Sequence, residues 1–374
     1  MTTSPLLPVE VITSAAQLNA AVKGMEVSPA IAFDTESNSM HYYPEQLCLI
    51  QIATRTEAKI VDTICLQDIS PLSPVLADKN VMKIIHGADY DVRCLDRHCG
   101  FRMHNIYDTY IAARFAGEIE VGLGALIKNL LGIAITKSKR LQTADWGRRP
   151  LSDEAIDYAA SDVFYLLQLQ QVLDKKLREL GRIGWVKEEL LRLEDIRYQA
   201  PDMENAFFSM KGAEVLDGRG LAILKYVFAF REQEARRQHR PPFFIVPDAV
   251  LIELALNPAA VNSGMGVNAQ RYGTGLRLAV QAGLAASPVQ PPLRIYTERM
   301  SPAELKLFAR LKEWRTSIAA KLALDPSLLW PMVSLQRLAR APESFDVEIN
   351  AANVREWQRA EFAAELKKVL ATKG

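Results

Sequence analysis

The chain has 374 residues, 49% of them hydrophobic, and a formal net charge of +1; that length accommodates two or three domains with substantial cores. No segment approaches the roughly 20 apolar residues that span a bilayer, and the start "MTTSPLLPVE" lacks the basic-then-apolar layout of a secretion signal, so a cytoplasmic protein with no membrane partner is expected. Residues 1–200 carry 22 Lys and Arg against 26 Asp and Glu, and residues 201–374 carry 23 against 18, a mild basic bias in the back half that is compatible with a polyanionic partner. Cys48, Cys65, Cys94 and Cys99 form no CxxC pair and lie in apolar segments, which points to buried free thiols rather than a zinc site or a disulfide framework.

In chain order, "AIAFDTE" (30–36), "LCLIQIAT" (47–54) and "AKIVDTI" (58–64) are short runs rich in Ile, Val and Phe, spaced closely enough for a meander of strands. Val81 to Ile85 reads as a further strand, after which Val92, Leu95 and Cys99 recur at helical spacing before the terminating Gly100. "NIYDTYIAARFAG" repeats the strand-to-helix step, so a mixed sheet covered by helices, an α/β architecture, is expected. Beyond it, "GLGALIKNLLG" (122–132) is a short helix closed by Gly132, and "TKSKRLQTADWGRRP" (136–150) is a polar loop. Ser152 caps a helix with Asp153 and Glu154 in its first turn, favoured by the positive end of the dipole, and the helical stretch runs with a bend to about Gly181. A compositional break falls at 198–212. The segments 226–256 and 307–335 then share one plan at an offset near 80 residues: a basic amphipathic helix, a connector with Pro and Asp, and an apolar helix start. Two copies of a small helical module follow from it, joined by the Pro-rich "ASPVQPPLR" (286–294).

Acidic residues carry the chemistry. Asp34 and Glu36 sit one residue apart on a strand, hence on one face and roughly 6–7 Å apart, with no Lys or Arg in the run to neutralise them. Asp91 falls five residues after His86, at the start of the helix that follows the Val81–Ile85 strand, on the edge of the sheet where α/β proteins bind ligands. Tyr158 and Asp162 share one helix face, beside the small Ala159 and Ala160. Each motif alone also fits a solvated strand end or a buried tyrosine bonded to a carboxylate.

Together, DxE at 34 and 36, HxxxxD from His86 to Asp91 and YxxxD from Tyr158 to Asp162 resemble, in order and context, the three motifs of the DEDD exonuclease superfamily in its tyrosine branch. "TADWGRRPLSDEAIDYAASDVFYL" (143–166) is similar to the third-motif stretch of ribonuclease D, and the repeated modules look like tandem HRDC domains. The resemblance implies a ribonuclease H-like α/β exonuclease domain over 1–197, followed by two all-α HRDC-like domains over 211–288 and 296–374. It implies Asp34, Glu36, Asp91 and Asp162 as ligands of two divalent cations, Mg²⁺ or Mn²⁺, and Tyr158 as the residue that orients the attacking water. It implies a monomeric 3′→5′ exoribonuclease that releases 5′-mononucleotides from RNA with a free 3′ end, such as transfer RNA precursors, with no obligate protein partner. Alternatives are a DNA exonuclease with the same site, separable only through contacts to the 2′-hydroxyl, and a catalytically silent RNA-binding protein. Met40, His41, Tyr42 and His86 are candidate substrate contacts, with Tyr43 beside them; Trp146 and Arg149 read as structural supports. The run "REQEARRQHR" (231–240) is a solvated helix face with candidate phosphate contacts. Ser37 stands where some relatives carry an aromatic residue.

Overall fold

The computed structural model describes residues 7–135, 138–262, 270–291 and 299–372. Six strands form one sheet: β1 (Val9–Ile12), β2 (Ala30–Ser37), β3 (Leu47–Ala53), β4 (Ala58–Asp62), β5 (Met82–Ile85) and β6 (Ile106–Asp108), in the order β1-β4-β3-β2-β5-β6. The apolar runs of β2, β3 and β4 pair antiparallel as a meander, while β1 on β4, β5 on β2 and β6 on β5 pair parallel. Every residue of β3 is buried, as a central strand covered on both faces requires. Pairing of β2 with β5 ends at Ala32, whereas pairing with β3 continues through Asp34↔Gln51 and Glu36↔Leu49. The end of β2 therefore has one open edge, and the acidic residues lie there.

Helices close both faces. They run α1 (Ala15–Glu26), α2 (Leu72–Ala77), α3 (Asp89–Cys99), α4 (Thr109–Phe115), α5 (Leu123–Leu131), α6 (Lys139–Gln142), α7 (Asp153–Phe164), α8 (Leu166–Glu179) and α9 (Ile183–Leu193). Local signals set their ends: Ser14 and Gln17 form a capping box on α1, the Ser152 hydroxyl accepts the Ala155 N–H on α7, and Gly100 and Gly132 take left-handed conformations after α3 and α5. The bend in the long helical stretch falls at Tyr165, between α7 and α8, and Gly181 follows α8 at φ 69°. Besides α6, four elements of the nuclease escape the sequence reading: β1 and α2 are only four and six residues long, α1 precedes the first strand expected, and α9 follows Gly181, the expected end of the helical stretch. The polar segment 136–150 is loop except for the one-turn α6; residues 136 and 137 lie outside the described residues. Cys48 and Cys94 are buried free thiols, but Cys65 is exposed and Cys99 half-buried. Cys65 lies in the exposed turn after β4, where its N–H and thiol both bond the buried Asp62.

The back half is helical and repeats with an offset of 84 residues rather than about 80. Helix α10 (Gly218–Gln238) is matched by Pro302–Leu322, α11 (Pro242–Ile245) by Pro326–Leu329, and α12 (Asp248–Leu256) by Met332–Arg340, each pair equal in length. His239 and Ala323, equivalent residues, close the first helix of each copy in the left-handed region, and Arg231 and Arg315, also equivalent, are both buried. The two copies pack differently. Phe207 to Val280 form a core of their own, whereas Leu311 to Leu366 join the core that begins at Ile12 in the sheet. The connecting segment 286–294 is described only as far as residue 291.

Candidate active site

Asp34 and Glu36 leave the same face of β2, and α7 crosses that face above β2, β3 and β4. One carboxylate oxygen each from Asp34, Glu36 and Asp162 falls within 4.8 Å of the others. Asp91 reaches the open edge of β2 from the first turn of α3, where the Thr35 hydroxyl donates to its Oδ1 at 2.6 Å. Burial, then Asp91, Asp162 and Glu36, push the Asp34 carboxyl well above the usual carboxylate range. Burial also pushes Asp91 up to about 7, opposed by the Thr35 bond and reinforced by Asp108. Groups of one sign confined at this spacing, all of them hard oxygen donors, fit a divalent cation far better than water.

Tyr158 lies one helical turn before Asp162, 9% exposed, with its ring 6.0 Å from that of Trp146. Burial, then Asp162, Glu36 and Asp34, raise its phenol pKa, while a hydrogen bond with the Gln142 side chain lowers it. The hydroxyl thus stays protonated at neutral pH, and Gln142 is a neighbour that the sequence reading missed because a one-turn helix in a polar loop carries no periodicity. Trp146 is 2% exposed, and Arg149 grips Asp62 with bonds of 2.5 and 2.6 Å while donating to the carbonyls of Trp146 and Cys48, as expected of supports.

His86 lines a pocket of about 120 Å³ with Asp34, Leu123, Asp162 and Leu166. The Thr109 hydroxyl donates to the Ile85 carbonyl at 3.1 Å and therefore accepts from His86 Nδ1 at 2.9 Å. Asp108, another residue missed, accepts from the N–H groups of Gly87, Ala88, Tyr110 and Ile111, tying the start of α3 to that of α4. Its only sequence signal was an Asp at a strand-to-helix junction.

The loop after β2 is spoken for. His41 Nε2 donates to the Thr143 carbonyl at 2.8 Å; Tyr42 stacks on His239 at 5.2 Å; the Tyr43 hydroxyl donates to Glu232 at 2.6 Å with Arg236 above its ring; Met40 is 51% exposed. Residues 231–240 are accordingly not a simple solvated face. Arg231 is buried against Asp248, and Glu232, Arg236 and His239 face the 42–43 loop. Ser37 Oγ lies 2.5 Å from the Tyr90 hydroxyl.

Residues 9–178 match the family model described as a 3′-5′ exonuclease, and residues 220–261 match the HRDC domain. The ribonuclease D of Desulfotalea psychrophila is 31% identical over 318 residues, covering 83% of this chain and 84% of the relative. The chain belongs to the ribonuclease D family. The ribonuclease D of Gluconacetobacter diazotrophicus is 32% identical, covering 95% of this chain and 91% of its own. The catalytic core of RRP6 from Trypanosoma brucei superposes with a TM-score of 0.66 at 25% identity, covering 76% of this chain and 81% of that one. Escherichia coli RNase D, an exoribonuclease involved in structured RNA processing, shares the fold over 97% of this chain and 99% of its own, with a TM-score of 0.73 at 24% identity. The ribonuclease D chain is a 3′→5′ exoribonuclease, and its acidic cluster suits the divalent-metal dependence of its exonuclease family.

Proposed function

We propose that Asp34, Glu36, Asp91 and Asp162 hold two divalent cations, Mg²⁺ or Mn²⁺, and that Tyr158 orients the water that attacks the 3′-terminal phosphodiester of RNA. The observation that carries this reading is the convergence of Asp34, Glu36 and Asp162 within 4.8 Å, in surroundings that push Asp34 well above the carboxylate range. Bound there, the ions would supply a hydroxide-like nucleophile at neutral pH and neutralise charge on the leaving 3′-oxygen. The Tyr158 phenol, kept protonated by burial and by the carboxylates, offers a hydrogen bond that fixes a water beside Asp162. Thr35 and Asp108 hold Asp91 and the start of α3 in place, so the acidic pocket is preorganised. His86, on the pocket wall, contacts the terminal nucleotide, and the products are 5′-mononucleotides.

The substrate is RNA with a free 3′ end, transfer RNA precursors among them, cleaved by a cytoplasmic monomer. Among the described residues no helix is long and apolar enough to cross a membrane. An exonuclease domain over 1–197, a first HRDC-like domain over 211–288 and a second over 296–374 make up the working enzyme; Met40, His41, Tyr42 and His86 are the side chains offered as RNA contacts, and of these His86 lines the acidic pocket itself. The test is a time course on a 3′-extended transfer RNA and an unstructured RNA, with Mg²⁺, with Mn²⁺ and with chelator, resolving product length. Mononucleotides released stepwise from the 3′ end only with metal, and lost in Asp34→Asn, are expected; metal-independent cleavage or internal cuts would refute the site.

A further inference from the structure

RNA whose terminal phosphodiester enters the acidic pocket leaves it again on the 5′ side, past one of the pocket's walls. On the 42–43 side the rings already have partners: Tyr42 lies on His239, and Tyr43 is held by Glu232 and Arg236. The His86 wall leads to another ring. His86, which lines the pocket, meets Tyr110 edge-on at 5.9 Å, and Tyr110 is 38% exposed. One turn along α4, the Arg114 guanidinium lies 5.8 Å from the Tyr110 ring centre and donates to Ser327 Oγ of the second helical module at 2.8 Å.

Tyr110 and Arg114 open onto a cleft of about 560 Å³ between the nuclease and that module, whose far wall is Ala323 to Asp325. The short segment 121–123 borders both spaces, Val121 on the cleft and Leu123 on the acidic pocket. The two acids of the cleft are compensated: Glu118 pairs with Lys176 at 2.6 Å, and Asp325 accepts the Ser327 N–H at 2.7 Å beside Arg114. An aromatic face with a cation one helical turn away is the pairing that single-stranded nucleic acid uses, base on ring and phosphate on guanidinium.

Resting on the site reading above, we propose that Tyr110 and Arg114 form a subsite for the RNA nucleotide on the 5′ side of the scissile phosphate, Tyr110 stacking its base and Arg114 binding its phosphate. The second helical module walls this subsite and holds Arg114 through Ser327. The step is binding alone and leaves the chemistry to the acidic pocket.

The experiment compares an RNA octamer with the p-nitrophenyl ester of uridine 5′-monophosphate, which carries a scissile phosphate but no upstream nucleotide. In Tyr110→Ala the ratio of kcat/KM for octamer over ester falls about tenfold, chiefly through KM for the octamer, as loss of one base stack predicts. Tyr110→Phe, which keeps the ring, restores the ratio to within about twofold. Arg114→Ala lowers the ratio and flattens the salt dependence of octamer KM by about 0.7 in log–log slope, one phosphate contact on a single strand. An unchanged ratio in both alanine variants, or an equal loss on both substrates, overturns the subsite while the acidic pocket stands. An Asp34→Asn variant with parental rates on both substrates overturns the site reading, and the subsite with it.

Discussion

Asp91 links protonation, metal and stability at one residue. Its pKa of about 7 in the fold stands above the ordinary 3.8, so between those values the folded chain binds a proton that the unfolded chain releases. The contribution to stability is complete below about pH 4 and is lost as pH rises through 7. Metal-free protein is expected to melt at progressively lower temperature from pH 4 to 7, and Asp91→Asn to flatten that trend, measured by thermal melts in chelator. Cation binding displaces the same proton, so calorimetry in buffers of different ionisation heat should register proton release that declines above pH 7. Asp34 makes the complementary case. Because burial and three carboxylates oppose its charge, Asp34→Asn should abolish metal-dependent activity by about 10³-fold or more while stabilising the metal-free protein by ~1 kcal/mol in denaturant titrations. A variant both inactive and less stable in chelator would show that its carboxylate serves the fold rather than the ions. At this scale local periodicity places Asp34 with Glu36 on one strand face and Tyr158 with Asp162 on one helix face, and the packing of α7 on β2 then brings Asp34, Glu36 and Asp162 within 4.8 Å. It failed for Gln142 and Asp108, whose placement depends on a one-turn helix and a three-residue strand.

Between elements, one close backbone approach lies where the chain leaves α4. Gly117 has φ 79°, and a Cβ there would sit 2.8 Å from the backbone oxygen of Ala323, which ends the Pro302–Leu322 helix. Neither backbone can yield without separating α4 from that helix. Gly117→Ala is expected to cost about 1–3 kcal/mol, read as a lower melting temperature, through both the left-handed backbone and the clash. Gly124→Ala is the control. It has ordinary backbone and only the tip of Ile135 nearby at 3.9 Å, so it should be neutral or mildly stabilising. Helix ends were legible from Ser152, Gly100 and Gly132 because caps act within one turn. The 84-residue offset was blurred to about 80 because sequence similarity marks the helices without marking their register.

Across the whole molecule, the second helical module is built into the nuclease. Trp357 stacks on Trp185 at 4.8 Å and meets Phe115 edge-on; Glu188 accepts the N–H groups of Glu356 and Trp357, and Arg182 bridges the carbonyls of Phe115 and Leu322. Truncation after residue 298 would expose Phe115 and Trp185 and strand the Glu188 carboxylate and Arg182. The shortened chain should therefore melt at least 10 °C lower and bind a hydrophobic dye, a comparison made by scanning fluorimetry; an unchanged melting temperature would mean the shared core contributes little. The first module, with its separate core, touches the nuclease through Tyr42 and Tyr43 and should unfold as its own calorimetric transition.

The amino-acid order by itself determined the strands from β2 onward and most helices of the nuclease, the three acidic motifs and the helical repeat, because each is written within a few turns or one strand pair. Tertiary structure alone decided that Leu311 to Leu366 share the sheet's core, that Tyr42 faces His239, and that Tyr110 and Arg114 open onto a cleft. Such contacts join residues more than 150 positions apart, as with Tyr42 and His239 or Trp185 and Trp357. Local periodicity carries no record of which apolar faces meet; packing selects them when the elements assemble.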